Sequence, residues 1–245
     1  MASRYSEVYG AWKTDPEGFW SEAAEAIDWF ERPERAFEAE AGIYGHWFPG
    51  GVTNSCYNCL DRHVEAGRGE QIAFIYDSPV TSSIERISYG ALLDDVKALA
   101  AVYRKLGVDK GDRIIIYMPM IPQAAVAMLA AARIGAVHSV VFGGFAANEL
   151  AVRIDDCQAK LIVSASCGIE PGRTVAYKPL LDAALTIAEH KPAHCLVYQR
   201  DMLKADMTPV RDIDYASALA DAKDAGDEAD CTPVASTDPL YVLYT

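Results

Sequence analysis

No stretch of the chain approaches the roughly 18–20 unbroken apolar residues of a membrane span, and no apolar signal core follows the start. Met1-Ala2-Ser3-Arg4-Tyr5-Ser6-Glu7 turns acidic at once, which argues against export or an organelle presequence. A membrane is therefore not an expected partner, and the cytoplasm is the expected location. Positive charge is also scarce: 22 Lys and Arg face 35 Asp and Glu, for a net charge of −13. Residues 1–40 and 201–230 each carry net −6, so the middle is nearly neutral and has no basic stripe for a phosphate backbone. Nucleic acid is not an expected partner either. The 6 cysteines are too few and too widely spaced for a disulfide framework, and read as free thiols in a reducing compartment. Several phosphate and hydrolase signatures are missing. Gly143-Gly144-Phe145-Ala146-Ala147-Asn148 does not give G-x-G-x-x-G, which disfavours a nicotinamide oxidoreductase. There is no GKS or GKT loop, no G-x-S-x-G elbow and no H-E-x-x-H.

What is present is a core. With 245 residues, 51% of them apolar and 23% charged, the chain is too hydrophobic to be disordered and long enough for one or two domains. Asp15 as a cap, Pro16 at the first position and Glu17 behind it predict a helix whose apolar face runs Phe19, Trp20, Ala23, Ala24, Ile27, Phe30, until Pro33 stops it. Residues 41–69 lack periodicity and predict an irregular layer; all four tryptophans lie before residue 60 and read as packing. Gln71–Asp77 and Glu85–Ile87 predict strands, and Ser88 caps a long helix ended by Gly107. From Asp112 strands and helices alternate: strands at Arg113–Met118, Val137–Phe142, Lys160–Ala165 and Cys195–Tyr198, with helices at Gln123–Ile134, Asn148–Asp156 and Pro179–His190. Short connections between alternating elements mean an α/β fold, a parallel doubly wound sheet covered on both faces. Residues 201–237 are polar and acidic and read as a surface excursion. Leu240–Thr245 begins another apolar strand of interior character, which suggests a polypeptide cut in mid-domain.

Ligands of open parallel sheets sit beyond the carboxyl ends of the strands. Two loops meet that condition, Phe142-Gly143-Gly144-Phe145 and Cys167-Gly168-Ile169-Glu170-Pro171-Gly172-Arg173, and both open on one rim if their strands are neighbours. Paired glycines let a planar or phosphorylated group approach the backbone. Arg173 offers a fork of donors suited to phosphate, and Phe142 a ring face for stacking. A nucleotide-bearing ligand would suit this combination, although Gly-Gly is also an ordinary tight turn. Cys56-x-x-Cys59 with His63 lacks a fourth metal ligand and is not set between a strand and a helix, so a structural role is expected and no metal. His138, inside an apolar strand, reads as a hydrogen-bonded core histidine.

A longer pattern now stands out. Trp47-Phe48-Pro49-Gly50-Gly51 and Asn58-Cys59-Leu60-Asp61-Arg62-His63 precede Gly111-Asp112-Arg113, Tyr117-Met118-Pro119-Met120, Ala132-Arg133-Ile134-Gly135-Ala136 and His138-Ser139-Val140-Val141-Phe142-Gly143-Gly144-Phe145. Taken in this order the sequence resembles the N-terminal part of short-chain acyl-CoA synthetases, the acetyl- and propionyl-CoA synthetase group of adenylate-forming enzymes. The run Ser166–Arg173 followed by Ala176-Tyr177-Lys178-Pro179 is similar to the propionyl type, whereas the acetyl type tends to carry a second arginine where Glu170 stands.

The resemblance implies residues 1–64 as the family's N-terminal region and 65–245 as the first, incomplete part of the adenylate-forming large domain. It implies a propionate–CoA ligase (AMP-forming) that uses ATP, Mg2+ and coenzyme A, with an acetate–CoA ligase or a non-catalytic CoA- or nucleotide-binding module as alternatives. Phe142, Gly143, Gly144, Glu170, Pro171, Gly172 and Arg173 would help hold the nucleotide end of coenzyme A. The Ser/Thr/Gly-rich ATP loop, the acid pocket and the adenylating lysine would follow Thr245, so no catalytic residue is expected within the chain and the chain itself is expected to be inactive.

Overall fold

The computed structural model describes residues 4–244. Met1–Ser3 of the opening segment and Thr245 of the predicted closing strand lie outside the described residues. The first helix, α1 (Tyr5–Thr14), was not announced by the sequence pattern. α2 (Pro16–Ala24) starts as predicted, with the Asp15 carboxylate accepting from Gly18 N at 3.0 Å and Pro16 in the first turn. It stops well before Phe30. Phe30 N and Glu31 N both donate to Val52 O, at 2.8 and 3.1 Å, and this pairing draws residues 25–31 out of the helical path. Tertiary pairing here overrides apolar spacing.

Short strands β1 (Phe37–Glu38), β2 (His46–Trp47) and β3 (Val52–Thr53) follow. The segment is irregular as far as Asn54, but residues 55–68 are helical, wound as π turns over Tyr57–Asp61 and Val64–Arg68. Asn54 ties this helical stretch to the main domain. Its Oδ1 accepts from Cys56 N and Tyr57 N, while its Nδ2 donates to the carbonyls of Ala132, Arg133 and Thr232 at 2.8–3.0 Å.

β4 (Ile72–Ser78) and β5 (Ser83–Ser88) form an antiparallel hairpin apart from the main sheet. Ser88 then caps α3 (Tyr89–Lys105), and Gly107, at φ +80°, lets the chain leave it. The alternation continues through β6 (Arg113–Met118), α4 (Pro122–Arg133), β7 (Val137–Phe142), α5 (Ala147–Cys157) and β8 (Leu161–Ala165). A hairpin of β9 (Cys167–Glu170) and β10 (Arg173–Ala176) extends beyond β8, before α6 (Lys178–Ile187) and β11 (His194–Tyr198). β12 (Asp212–Asp214), α7 (Tyr215–Ala225) and β13 (Val234–Ala235) complete the described elements, the last pairing with β3.

The main sheet is parallel, in the order β12-β11-β8-β6-β7. Side chains of β6 alternate between two buried cores: Ile114, Ile116 and Met118 meet α3 and α4, while Ile115 and Tyr117 meet α5 and α6. The expected doubly wound α/β fold is present.

The reading of residues 201–237 as a surface excursion is corrected, because the segment supplies the fifth strand and a helix against α3. Charge composition misled there. The Asp212 side chain is fully buried, held by Lys178 Nζ at 2.9 Å and Arg211 Nε at 2.6 Å. An acidic residue in a strand satisfied by two cations behaves as core. The closing segment lies at the β7 margin, where His138 N donates to Leu240 O and Val242 N donates to His138 O. Among the described residues no strand pairs with its other side.

Candidate functional site

The chain leaves β6 toward β7 and leaves β8 toward β11, on opposite sides. The two exits diverge above the carboxyl ends of β6 and β8, which makes a crevice there a topological necessity. A cavity of about 280 Å³ occupies it, bounded by Met118 and Met120 at the end of β6, Phe142 and Gly143 at the end of β7, and Tyr177 and Arg200 on the far wall.

β7 and β8 are not neighbours, since β6 lies between them. Their loops nevertheless meet, because the β9–β10 hairpin carries Glu170 across: a Cβ built on Gly144 would stand 3.7 Å from Glu170 Oε1. The hairpin turn is Pro171-Gly172, with Glu170 opposite Arg173 and Gly172 at φ +81°, the conformation a Pro-Gly turn supplies at least strain. All seven predicted site residues thus lie on one rim.

Tyr177 is the strut between the loops. A Cβ on Gly143 would fall 2.5 Å from Tyr177 Cε2, one on Gly168 would fall 2.6 Å from Cζ, and both would be closer still to Oη. The phenol fills the gap that two glycines leave. Its ring packs on Tyr117 at 5.1 Å between centroids, and Tyr117 Oη donates to Phe145 O at 3.0 Å. Burial, with Tyr117 adding to it, pushes the Tyr177 phenol up to about 12, so it stays a hydrogen-bond donor near neutrality.

The ends of the rim differ. Phe142 is 70% exposed and offers an open ring face. The Arg173 fork is turned inward on Glu170, with Nε at 2.7 Å and Nη2 at 2.6 Å from Oε2, both side chains being well exposed. Such an exposed pair is worth about 1 kcal/mol or less, so an incoming phosphate can displace it. Arg200, in contrast, is buried; its Nη1 donates to Cys167 O at 3.2 Å, and its backbone N donates to Ser166 Oγ at 2.8 Å. Arg200 and Tyr177 were not singled out as site residues by sequence reasoning, which had Gly168 only as a member of the second loop. Arg200 offered only the signal of an arginine just past a strand end.

Other candidates separate from this rim. Cys59 is exposed whereas Cys56 is buried, so the Cys-x-x-Cys thiols make no joint site. Cys56, Asp61 and Cys231 place their ligand atoms within 4.8 Å of one another. The Asp61 carboxylate, however, accepts from both Arg133 Nη atoms at 2.9 and 3.0 Å, deep in the core, and this ion pair has the donor set of a structural clamp. His138 is buried as expected, but the expected hydrogen bond is corrected: its Nδ1 has no partner among the described residues, and burial lowers its pKa to about 4.

Residues 60–245 match the profile described as AMP-binding enzyme. The chain belongs to the AMP-binding enzyme family. Residues 5–59 match the acetyl-coenzyme A synthetase N-terminus. An acyl-CoA synthetase short-chain family member 3, mitochondrial, from Rattus norvegicus is 50% identical over 242 residues, covering 98% of this chain and 35% of the relative. An acetyl-coenzyme A synthetase from Xanthobacter autotrophicus is 43% identical over 247 residues, covering 99% of this chain and 37% of the relative. The chain therefore spans about a third of the length of the curated relatives it matches. The solved acetoacetyl-CoA synthetase from Streptomyces lividans superposes with a TM-score of 0.82 at 22% identity, over 96% of this chain and 35% of that one, and shows the same fold. Among the described residues of this AMP-binding enzyme, no helix is long and apolar enough to cross a membrane.

Proposed function

We propose that this chain forms the coenzyme-A-facing part of a short-chain acyl-CoA ligase (AMP-forming). In the whole reaction a carboxylate oxygen attacks the α-phosphate of ATP, releasing pyrophosphate and leaving an acyl-adenylate. The thiol of coenzyme A then attacks the acyl carbon, and AMP leaves. Residues 1–64 are assigned as the N-terminal region and 65–245 as the first part of the adenylate-forming domain.

One observation carries this reading: two loops from non-adjacent strands converge at the switch-point crevice around a buried tyrosine, which Gly143 and Gly168 clasp from either side. There the Phe142 ring would stack on a nucleobase, while Gly144, at φ +97°, would admit its sugar or phosphate and Gly143 would seat the Tyr177 ring beneath it. Glu170, Pro171 and Gly172 would present Arg173 to a phosphate. Glu170 is the one carboxylate among the described residues lining this crevice, and a single carboxylate is a poor donor set for Mg2+. ATP and Mg2+ are accordingly assigned to residues other than those of this rim.

Propionate is proposed as the acid, on the Ser166–Arg173 pattern with Glu170 in it; acetate is the equally supported alternative. In a polypeptide that carries this chain with the remaining length its relatives have, kcat/KM should favour propionate. A tenfold preference for acetate, about 1.4 kcal/mol, would reverse the assignment. The 245-residue chain alone should catalyse no ATP–pyrophosphate exchange with either acid, and turnover above background would refute that. The cytoplasm is the proposed location.

A further inference from the structure

Arg200 is 7% exposed, and among the described residues its guanidinium meets one acceptor, Cys167 O. No carboxylate among those residues lies within 4.0 Å of it. The other buried arginine, Arg133, shows the usual arrangement, two hydrogen bonds to one carboxylate. A buried cation without a counter-charge is costly, and the cost falls when an anion arrives. Arg200 stands where such an anion would enter, because the residue lines both the 280 Å³ cavity and an adjoining groove of about 330 Å³. Nearby acids do not compensate it. Glu170 is paired with Arg173, and Asp201 is held by Lys204 at 2.7 Å. Glu85 lines the outer groove, beyond ion-pair distance. Its Nη1 is tied to the carbonyl of Cys167 and its backbone to Ser166, which anchors the residue at the end of β11 and leaves Nε and Nη2 without a protein acceptor among the described residues.

We propose that Arg200 is an anion-binding residue of this cleft, and that it takes phosphoryl oxygens of a nucleotide-bearing ligand deeper in the crevice than Arg173. This rests on the reading of the crevice as a ligand cleft, and it adds a phosphate subsite on the β8–β11 side. The exposed Arg173 meets its ligand in water; Arg200 meets it partly desolvated, where each charge-assisted hydrogen bond counts for more.

The test uses the full 245-residue chain and inorganic pyrophosphate as the first probe. Hydrogen–deuterium exchange should show pyrophosphate protecting residues 166–169 and 198–203. Absence of protection there, or protection confined to residues 170–173, overturns the proposal without any variant. Arg200→Gln should weaken pyrophosphate binding about tenfold or more, and Arg200→Lys by less; equal binding by all three forms also overturns it. Coenzyme A, dephospho-coenzyme A, ATP and pantetheine then separate the sources. A loss confined to coenzyme A assigns the 3′-phosphate, an equal loss for both coenzymes assigns their diphosphate, and a loss for ATP alone assigns the other nucleotide. Pantetheine, which has no phosphate, should bind the variant as it binds the parent; weakening of pantetheine by the same factor marks a structural effect and overturns the subsite. If pyrophosphate binds through Arg200 while coenzyme A does not bind, the subsite stands and the coenzyme assignment falls.

Discussion

Replacing Gly143 by alanine tests the strut between the two loops. The added Cβ would lie 2.5 Å from Tyr177 Cε2 and 2.7 Å from Cζ, far inside van der Waals contact. The tyrosine cannot easily retreat: it is 5% exposed, packs on Tyr117, and has Gly168 pressed against its opposite edge. Overpacking of this kind costs about 1–3 kcal/mol. Removing the ring by Tyr177→Ala should cost about 3–5 kcal/mol for the cavity. In that background, however, the alanine at 143 has room, so the double variant should be less unstable than the sum by about 1–2 kcal/mol. Urea unfolding of the four forms, with matched m-values, measures the coupling. Additive effects, or a Gly143→Ala cost below about 0.5 kcal/mol, would refute the account of Tyr177 as a wedge between glycines.

Further outcomes follow from the buried polar groups. His138 has its folded pKa lowered to about 4 by burial, against about 6.5 unfolded, so below the latter the unfolded state binds the proton and the folded state does not. Stability should fall by up to about 3 kcal/mol between pH about 6.5 and 4, and His138→Leu should flatten that part of the pH–stability curve. Asp61→Asn leaves the Arg133 guanidinium without its counter-charge in the core and should cost about 3–5 kcal/mol by denaturant unfolding, with Arg133→Met in the same background recovering part of it. Asn54→Ala strips partners from three carbonyls and two amides and should cost about 3 kcal/mol or more, with amide exchange of Cys56 and Tyr57 accelerated.

Strands β6 and β7 were legible because they are apolar runs with glycine or proline at their ends; Arg113–Met118 and Val137–Phe142 fall where the sequence puts them. The fifth strand was hidden by its aspartates, whose partners Lys178 and Arg211 lie 34 residues and one residue from Asp212 and are invisible as a cluster in the linear text. The premature end of α2 was hidden for a related reason, since its cause is a carbonyl at Val52. The rim itself was read from glycines and strand ends, both local signals. Tyr177 and Arg200 act through what surrounds them in space, the glycines on either side of one and the missing carboxylate of the other.

The central claim is that the crevice above β6 and β8 receives the nucleotide end of coenzyme A. Isothermal titration of coenzyme A into the 245-residue chain addresses it most directly. Binding should be saturable and should weaken on Phe142→Ala and on Arg173→Ala, with pantetheine indifferent to both. Absence of binding, or binding that neither substitution changes, would contradict it.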